Sequence, residues 1–382
     1  MKVAIVHEWL VNFRGSERVL LELARLYPDA VIYASVVNRD NIPSELAQRD
    51  IRTTFIQKFP MAARLYQLYL PWMPRAYEQL DMSDYDLIIS SSHACAKGIV
   101  PRPSSVHVCY CYTPMRYAWN GFHEYQQTLK LGIMRWMMAR LMHRLRTWDV
   151  VAAARVDYFV ACSTEIRRRI HKYYRRESCV IHPPVRFTEP NFHQVSNHVR
   201  ELVRGFEGKP FLLSLGRLVR YKRVDLAVDA CTRGNHPLVV AGDGSEYEDL
   251  RKRAGPTVHF VRSFSDADAA YLYEACRAFV FPGEEDFGIT VVEAQAHGKP
   301  VVAYGKGGAL DTVIPKATGL FFWEQCADQV LMAINELEQY EFDPQVIQTH
   351  ASSFAAERFR MSIGSLIDDL LEKEQIEWEK PH

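Results

Sequence analysis

The feature that most constrains the fold of this chain is a repeated pattern of a short apolar run, a polar loop and a helix. The first copy has Val and Ile between positions 3 and 6, a loop at 14–16 and helical apolar spacing at 19, 20, 23 and 26. Similar apolar runs lie at 31–37, 85–94, 106–119 and 154–162. Short strands that alternate with helices form parallel sheets with helices on both faces. The sequence therefore predicts an α/β protein.

Chain length sets the number of domains. A chain of 382 residues is too long for one hydrophobic core and fits two domains of ordinary size. After a short strand at 180–185, residues 186–210 turn polar and irregular, which favours a linker, and the strand–loop–helix pattern then restarts. We expect domains over 1–190 and 205–361, with a last helix at about 362–382 that packs back on the first domain.

Composition excludes several protein classes. Hydrophobic residues make up 48% and charged residues 24%, as in globular domains. There is no run of 18 apolar residues, and the N-terminal segment is too short and too quickly acidic for a signal peptide. We therefore expect a cytoplasmic protein. The eight cysteines are scattered without zinc spacing, so no metal site is expected.

The two halves of the chain differ in charge. Residues 1–190 hold 26 Lys and Arg against 17 Asp and Glu, a net of +9, and the remainder has a net of −9. Either the first half meets an anionic partner or the two halves face each other. The segment 129–148 has no acid, and its arginines lie among Met, Leu and Trp at positions Arg135, Arg140, Arg144 and Arg146. This pattern favours a membrane-surface helix, and a core helix with snorkelling arginines is the alternative.

Polar side chains follow several of the predicted strands. His7, Glu8, His93 and Tyr112 would all lie beyond carboxyl strand ends, where open parallel sheets bind ligands. The loop at Gly15-Ser16 precedes a helix and could approach a phosphate. Ser16 acting as a simple N-cap is the alternative interpretation.

The stretch 283–300 carries two carboxylates, Glu285 and Glu293, in a glycine-containing loop between a strand and a helix. The first turn of a helix leaves backbone N–H groups unpaired, so this arrangement favours an anion site. Thr290 and Glu293 also match a capping box, with Gly298 ending the helix. For Glu293 the capping and the functional interpretations stay open.

Arg217 and Lys222 lie five positions apart in the first strand-to-helix loop of the second half. Cations with backbone N–H groups suit a diphosphate, and carboxylates suit sugar hydroxyls, so together they favour a nucleotide sugar. Fixed positive charge can stabilise a departing diphosphate without a metal. Gly242-x-Gly244 lacks the third glycine of a dinucleotide fingerprint, which argues against NAD binding.

Several motifs carry a family resemblance. They are GRLVRYKRVDLAV (216–228), AGDGSEYEDL (241–250), FPGEEDFGITVVEAQAHGKPVVAYGKGGALDTV (281–313), SSSHACAKG (90–98), CYCYTPMRYAW (109–119) and VIHPPV (180–185). With these the chain resembles the family-four glycosyltransferases, in particular bacterial mannosyltransferases of polysaccharide and O-antigen synthesis. The resemblance implies a GT-B architecture, in which two doubly wound Rossmann-like domains face a cleft. The first domain would bind the acceptor and the second the nucleotide sugar.

The resemblance also implies an activity. It is retaining, metal-independent transfer of a hexose, mannose from GDP-mannose, to a lipid-linked or oligosaccharide acceptor, without a cofactor. The implied partners are the donor, a glycan or lipid-linked acceptor and an anionic membrane at its inner face, and not nucleic acid. A donor that is a UDP-sugar is the alternative.

Site roles follow from the matched motifs. The resemblance places the diphosphate on Arg217 and Lys222 and the donor-sugar hydroxyls on Glu285. The remaining donor positions are backbone at Phe287, Gly288, Ile289 and Thr290, ribose on Glu293, and the base near Arg262 and Phe264. Gly15 and Ser16 would lie beside the diphosphate and the acceptor.

One position departs from the family pattern. Related sequences usually carry His before Thr-Pro in the 109–116 motif, and here the residue is Tyr112. A phenol titrates near pH 10 and cannot act as a base at neutral pH. His93 is a candidate substitute. The departure motivates a second hypothesis, a catalytically weak scaffold subunit. A third hypothesis, a nucleotide-sugar epimerase on the same fold, is less favoured because Arg217, Lys222, Glu285 and Glu293 resemble the set found in transferases.

Overall fold

A computed structural model describes residues 1–122, 132–187, 191–206 and 208–378. The chain divides into two compact units. One unit comprises Met1–Pro184 together with the segment from Glu357 onward, and the other comprises Val185–Ala356.

The N-terminal unit is built on a seven-stranded parallel sheet with the order β3-β2-β1-β4-β5-β6-β7. Its strands are β1 (Val3–His7), β2 (Val31–Ala34), β3 (Ile51–Thr53), β4 (Leu87–Ser92), β5 (Val106–Cys111), β6 (Tyr158–Ala161) and β7 (Ser178–Val180). Its described helices are α1 (Gly15–Leu26), α2 (Ser44–Ala47), α3 (Ala62–Leu65), α4 (Met73–Glu78), α5 (Gly132–Ala154) and α6 (Thr164–Tyr174). Strands β4 and β5 are buried along their whole length, as expected for a sheet covered on both faces.

The second unit is a six-stranded parallel sheet with the order β10-β9-β8-β11-β12-β13. Its strands are β8 (Leu212–Leu215), β9 (Leu238–Ala241), β10 (Val258–Val261), β11 (Ala278–Phe281), β12 (Val301–Tyr304) and β13 (Gly319–Phe322). Its helices are α7 (Asn197–Gly205), α8 (Val224–Gly234), α9 (Tyr247–Arg253), α10 (Asp266–Ala275), α11 (Ile289–Ala296), α12 (Ala309–Thr312), α13 (Ala327–Glu336) and α14 (Pro344–Ser352).

Both sheets reverse their strand order at one point, between β1 and β4 in the first unit and between β8 and β11 in the second. Ligands of doubly wound folds bind beyond the strand ends at such a switch point. The prediction of two doubly wound α/β domains is confirmed, and the loops after these four strands are where a site is expected.

The predicted linker at 186–210 is wrong in its secondary structure, because α7 occupies Asn197–Gly205. Apolar residues with helical spacing, at 199, 202, 203 and 206, pack this helix on the core of the second unit. Asp268 in α10 accepts hydrogen bonds from the backbone and the hydroxyl of Ser196, which precedes α7. The strand expected at 180–185 ends at Val180, and Val185 instead pairs with Ala355.

The last helix, α15 (Ala356–Trp378), begins at the end of the second unit and returns to the first. Its side chains Phe359, Ile363 and Ile367 are buried in the N-terminal core, and Phe359 lies edge-on to Tyr110 of β5. Residues 379–382, the end of the helix expected at 362–382, lie outside the described residues.

Candidate active site

A partly buried ion pair lies beyond the switch point of the second sheet. Lys222 ends a 3-10 turn (Arg220–Lys222) in the loop after β8, and Glu285 lies in the loop after β11. Lys222 Nζ is 2.8 Å from Glu285 Oε1, and both side chains are mostly shielded from solvent. Arg217 lines the same small recess together with Gly216. The structure thus brings together the three charged side chains that the loop motifs singled out.

Glycines allow the chain to pack around this pair. A Cβ added at Gly283 would lie 2.7 Å from Lys222 Cα, so no larger residue fits without moving the lysine. Gly307 has φ of +64°, and its Cβ would lie 2.4 Å from the Glu285 carbonyl oxygen. The next residue, Gly308, donates its N–H to that carbonyl at 2.8 Å. Backbone contacts from a third loop therefore set the position of Glu285.

Helix α11 begins directly after this loop. Gly288 is its N-cap with φ of +90°, and the first helical residue is Ile289. The predicted capping box is wrong, because Thr290 lies inside the first turn. The Thr290 hydroxyl oxygen is buried and, among the described residues, has no hydrogen-bond partner. The first-turn N–H groups and this hydroxyl are available to an anionic or hydroxylated ligand.

Two further residues of the stretch 283–300, Phe287 and Glu293, contact aromatic side chains. Phe287 is buried and packs edge-on against Phe354, with ring centroids 5.6 Å apart. Glu293 accepts a hydrogen bond from the Tyr273 hydroxyl at 3.3 Å, and the Tyr273 ring stacks on His297. Glu293 therefore takes part in side-chain contacts one turn into α11 and does not cap it.

The structure places the predicted base-binding residues after β10, toward the sheet edge. Arg262 is exposed, lies 4.6 Å over the Tyr247 ring, and donates from Nε to Asp243 Oδ1 at 3.1 Å. This hydrogen bond lowers the pKa of the Asp243 carboxyl. Phe264 packs against the core of the second unit. Neither residue lines the recess that holds Lys222 and Glu285.

Polar side chains also meet at the switch point of the first sheet. His7 Nδ1 lies 3.0 Å from Ser91 Oγ, and Ser91 Oγ lies 2.8 Å from Tyr112 Oη. The Tyr112 hydroxyl donates to the Ser16 carbonyl in the first turn of α1 at 3.0 Å. Burial raises the pKa of Tyr112 well above its usual value. The neutral phenol therefore links the residue that follows β5 to the start of α1 by a hydrogen bond.

The start of α1 differs from the prediction. The helix begins at Gly15 with Arg14 as N-cap, so the interpretation of Ser16 as N-cap is wrong. Glu17 accepts the Arg14 N–H at 2.9 Å and its Oε1 lies 3.7 Å from His7 Nε2. Burial would raise the pKa of Glu17, but the contacts with His7 outweigh it, so the net shift is downward. Glu17 therefore joins α1 to β1 as a buried carboxylate.

His93 lies in a turn whose backbone N–H groups donate to the buried carboxylate of Glu8. Glu8 is fully buried and accepts the backbone N–H groups of residues 93–96 and the Ser92 hydroxyl, at 2.7–3.1 Å. Burial alone would raise the pKa of Glu8, yet the charge of His93 and these N–H donors lower it below its usual value. Burial lowers the pKa of His93. Its ring lies 4.8 Å from that of Trp9 and 6.2 Å from that of Tyr112.

Both parts of the chain match models of known protein families. The model "Glycosyl transferases group 1" matches residues 200–352, and "Glycosyltransferase Family 4" matches residues 13–189. Between them the two matched ranges include every described strand of both sheets except β1. The chain is a glycosyltransferase of the family-four type. The sequence-based recognition is confirmed.

The relatives of this glycosyltransferase include mannosyltransferases. It is 34% identical over 140 residues to the GDP-mannose-dependent alpha-mannosyltransferase of Mycobacterium tuberculosis, covering 35% of this chain and 37% of that protein. It is 29% identical over 148 residues to the O-antigen chain mannosyltransferase C of Escherichia coli, covering 37% of this chain and 39% of that protein. The aligned segments thus span less than half the length of these relatives.

A solved structure shows the same fold. The crystal structure of Anabaena HepE in complex with UDP matches with a TM-score of 0.69 at 18% identity, over 97% of this chain and all of that one. At this identity the likeness concerns the fold alone. The glycosyltransferase therefore has the GT-B fold, as predicted.

Sequence reasoning missed a second buried ion pair in the glycosyltransferase. Lys97 and Asp149 are almost fully buried and in direct contact. Asp149 also accepts from Trp119 Nε1 and the Tyr174 hydroxyl, each at 2.7 Å, while Lys97 donates to the Ala94 carbonyl at 2.9 Å. Burial would lower the pKa of Lys97, but Asp149 raises it above its usual value. The one available signal was a lone lysine in an otherwise uncharged stretch.

Across the described ranges, no group of three or more His, Cys, Asp and Glu side chains could hold a metal ion. The helices in those ranges include none long and apolar enough to cross a membrane.

Proposed function

We propose that this glycosyltransferase moves mannose from GDP-mannose to a lipid-linked or oligosaccharide acceptor in cell-surface polysaccharide synthesis, with retention and without a metal. The mannosyltransferase relatives support the choice of sugar and base. The observation that carries the proposal is the Lys222–Glu285 pair beside Arg217 at the start of α11.

The donor diphosphate is assigned to Arg217, Lys222 and the first turn of α11. Two cations beside unpaired helix N–H groups match a diphosphate in charge and in hydrogen-bond donors. Glu285 Oε1 lies 2.8 Å from Lys222 Nζ, so this ion pair holds the lysine in place. The Thr290 hydroxyl, which has no hydrogen-bond partner in the described part of the chain, is a further donor to a phosphate oxygen.

The sugar hydroxyls are assigned to Glu285 and the ribose hydroxyls to Glu293. A buried carboxylate that accepts from a hydroxyl discriminates strongly against a ligand without that hydroxyl, because the carboxylate would be left unpaired. Glu293 accepts a hydrogen bond from the Tyr273 hydroxyl, and a carboxylate can accept several hydrogen bonds. The base is assigned to the region of Arg262 and Phe264.

The chemical step breaks the bond between the anomeric carbon and the donor phosphate oxygen, and forms a bond from that carbon to the acceptor oxygen. The leaving phosphate oxygen takes the acceptor's proton, so no side-chain base is required. Arg217 and Lys222 stabilise the negative charge that develops on the leaving diphosphate. The acceptor is assigned to the N-terminal domain, where Gly15, Ser16 and His93 lie near the ends of strands β1 and β4. The protein would work in the cytoplasm at the inner membrane face.

Transfer and donor hydrolysis should be measured with GDP-mannose, UDP-glucose and UDP-galactose in the presence of a chelator. Lys222→Ala should weaken donor binding at least tenfold, since it removes a charge-assisted contact to phosphate. Lys252→Ala, which changes an exposed lysine of the same domain, is the matched control. Unchanged donor binding in both Lys222→Ala and Glu285→Ala, with no turnover of any donor, would overturn the proposal.

A second candidate is a catalytically weak scaffold subunit, favoured by one observation. The Tyr112 phenol, at the position where relatives carry His, is bonded to Ser91 and to the Ser16 carbonyl. If Tyr112→His creates transfer activity that the parent lacks, the scaffold function is supported. If the parent transfers mannose, it is excluded.

A further inference from the structure

Two segments without acidic residues contribute a charge of +8 to the N-terminal half, nearly equal to the net charge of that half. Residues 51–77 contain four Lys and Arg, and residues 132–148 contain four Arg, and neither segment has an Asp or Glu. Together they contribute +8 in a half whose net charge is +9. Seven of these cations are exposed: Arg52, which pairs with Asp50 outside the segment, and Lys58, Arg64, Arg75, Arg135, Arg140 and Arg144. The positive field of this half therefore has a defined source.

The same two segments expose large apolar side chains. In the first, Leu68 is 69% exposed, and Met61 and Trp72 are also exposed. In the second, the first six residues of α5 are all exposed, with Trp136 at 63% and Met137 at 60%. Exposed apolar groups interleaved with cations are typical of surfaces that lie in a bilayer interface.

Both segments rest on one hydrophobic cluster of the N-terminal unit. Ile56 and Met73 from the first segment, and Met142 and Leu145 from α5, are buried in that cluster. Trp148 Nε1 of α5 donates to Glu78 Oε1 at 2.7 Å, which joins α5 to the end of α4, the helix in which the first segment ends. They therefore cover one side of the N-terminal sheet.

We infer that residues 58–75 and 133–144 form one docking surface for an anionic lipid bilayer, with the first segment contributing as much as the arginine-rich helix. Charge complementarity selects this occupant, because the two segments carry exposed Lys and Arg side chains and contain no Asp or Glu. A nucleic acid would use the cations but would leave Leu68 and Met137 in water. The inference deepens the proposed function, since a lipid-linked acceptor is met at such a surface.

The test is co-sedimentation of the full chain with phosphatidylcholine vesicles, with and without phosphatidylglycerol, at low and high salt. Wild type should bind the anionic vesicles at low salt and release at high salt. Arg64→Gln and Arg144→Gln should each lower the affinity about fivefold, since one cation near an anionic surface contributes about that factor. Arg167→Gln, in α6 outside the surface, should leave it unchanged.

The apolar contribution is tested by Leu68→Glu and Met137→Glu, each of which places a carboxylate at a hydrophobic contact. Both should lower anionic-vesicle binding more than the Arg variants do, while Met332→Glu, at 63% exposure in the second unit, should not. If the α5 variants abolish binding and the 58–75 variants keep it, the single two-segment surface is overturned. Absence of wild-type binding to anionic vesicles overturns it as well.

The experiments also distinguish a lipid bilayer from a second copy of the chain as the occupant of this surface. If this face pairs two copies of the chain, light scattering without vesicles will show a dimer that Leu68→Glu dissociates, and the bilayer inference fails. Vesicle binding needs no donor, so Lys222→Ala should sediment like wild type. A protein that binds vesicles but transfers no sugar refutes the proposed function alone, and a protein that transfers sugar without binding vesicles refutes the surface alone.

Discussion

Replacing Asp149 by Asn should destabilise the N-terminal unit strongly. The Asp149 carboxylate is completely buried and has three partners, the Lys97 ammonium, Trp119 Nε1 and the Tyr174 hydroxyl. An amide of the same shape can still accept a hydrogen bond from one of the two aromatic donors. It cannot neutralise Lys97, which would then keep the Ala94 carbonyl as its one hydrogen-bond partner within the described residues.

The magnitude follows from the charge that is left behind. Removing one partner of a buried ion pair typically costs about 3–5 kcal/mol, because the remaining ion is desolvated and unpaired. Replacing both partners costs less than the sum of the two single changes, since no buried charge then remains. A cycle of Asp149→Asn, Lys97→Met and the double variant should therefore give a coupling of about 2–4 kcal/mol.

Urea unfolding followed by tryptophan fluorescence measures this free energy. Five of the seven tryptophans lie within the first 150 residues, so the signal reports mainly on the N-terminal unit. The control is Asp84→Asn, which disrupts an exposed pair with Lys2 in the same unit and should change stability by less than about 0.5 kcal/mol. If Asp149→Asn is as mild as this control, the assignment of a charged, mutually dependent pair is refuted.

Three further predictions concern the switch points. Because the pKa of Glu8 is lowered in the fold, its contribution to stability is present above its unfolded-state pKa and lost as pH falls through the folded-state pKa. Glu8→Gln should therefore cost about 2–3 kcal/mol in urea unfolding at pH 7 and less in acid. Tyr112→Phe removes both phenol hydrogen bonds and should cost about 1–2 kcal/mol by the same measurement. Gly283→Ala should displace Lys222 and lower donor affinity at least tenfold by calorimetric titration.

Each of these changes has a matched control. Glu177→Gln alters a carboxylate that is 93% exposed, and Tyr69→Phe removes a hydroxyl from the surface. At Gly205 an added Cβ meets nothing within 4 Å, so Gly205→Ala tests the same substitution without the clash. Equal effects in a variant and its control would contradict the corresponding assignment.

Much of the fold could be predicted from local pattern. The alternation of short apolar runs with helically spaced segments predicted parallel strands joined by helices. Local pattern is enough for this prediction, because each strand–helix unit is encoded within about 30 contiguous residues. The linker prediction failed because α7 is short and polar on its outer face. The apolar residues at 199, 202, 203 and 206 identify this segment as a helix only once the core on which they pack is known.

The candidate donor site was likewise predictable in its members. Arg217, Lys222 and Glu285 stood out because charged residues in strand-to-helix loops have no local structural role. The helix start was misassigned, because Gly288 with φ of +90° can serve as N-cap in place of the side chain of Thr290. Backbone geometry of this kind carries no periodic signal in the sequence.

By itself the sequence determined the two Rossmann-like domains, the family and the charged side chains of the candidate donor site, since these depend on short-range pattern and motif. Only the tertiary structure decided the rest. It paired Lys97 with Asp149 across 52 positions and Glu8 with the turn at 93–96 across about 85. It also tied Tyr112 to Ser16 across 96. The physical reason is that a buried charge is tolerated only where distant segments bring it a partner, and residue type alone does not specify which segments meet.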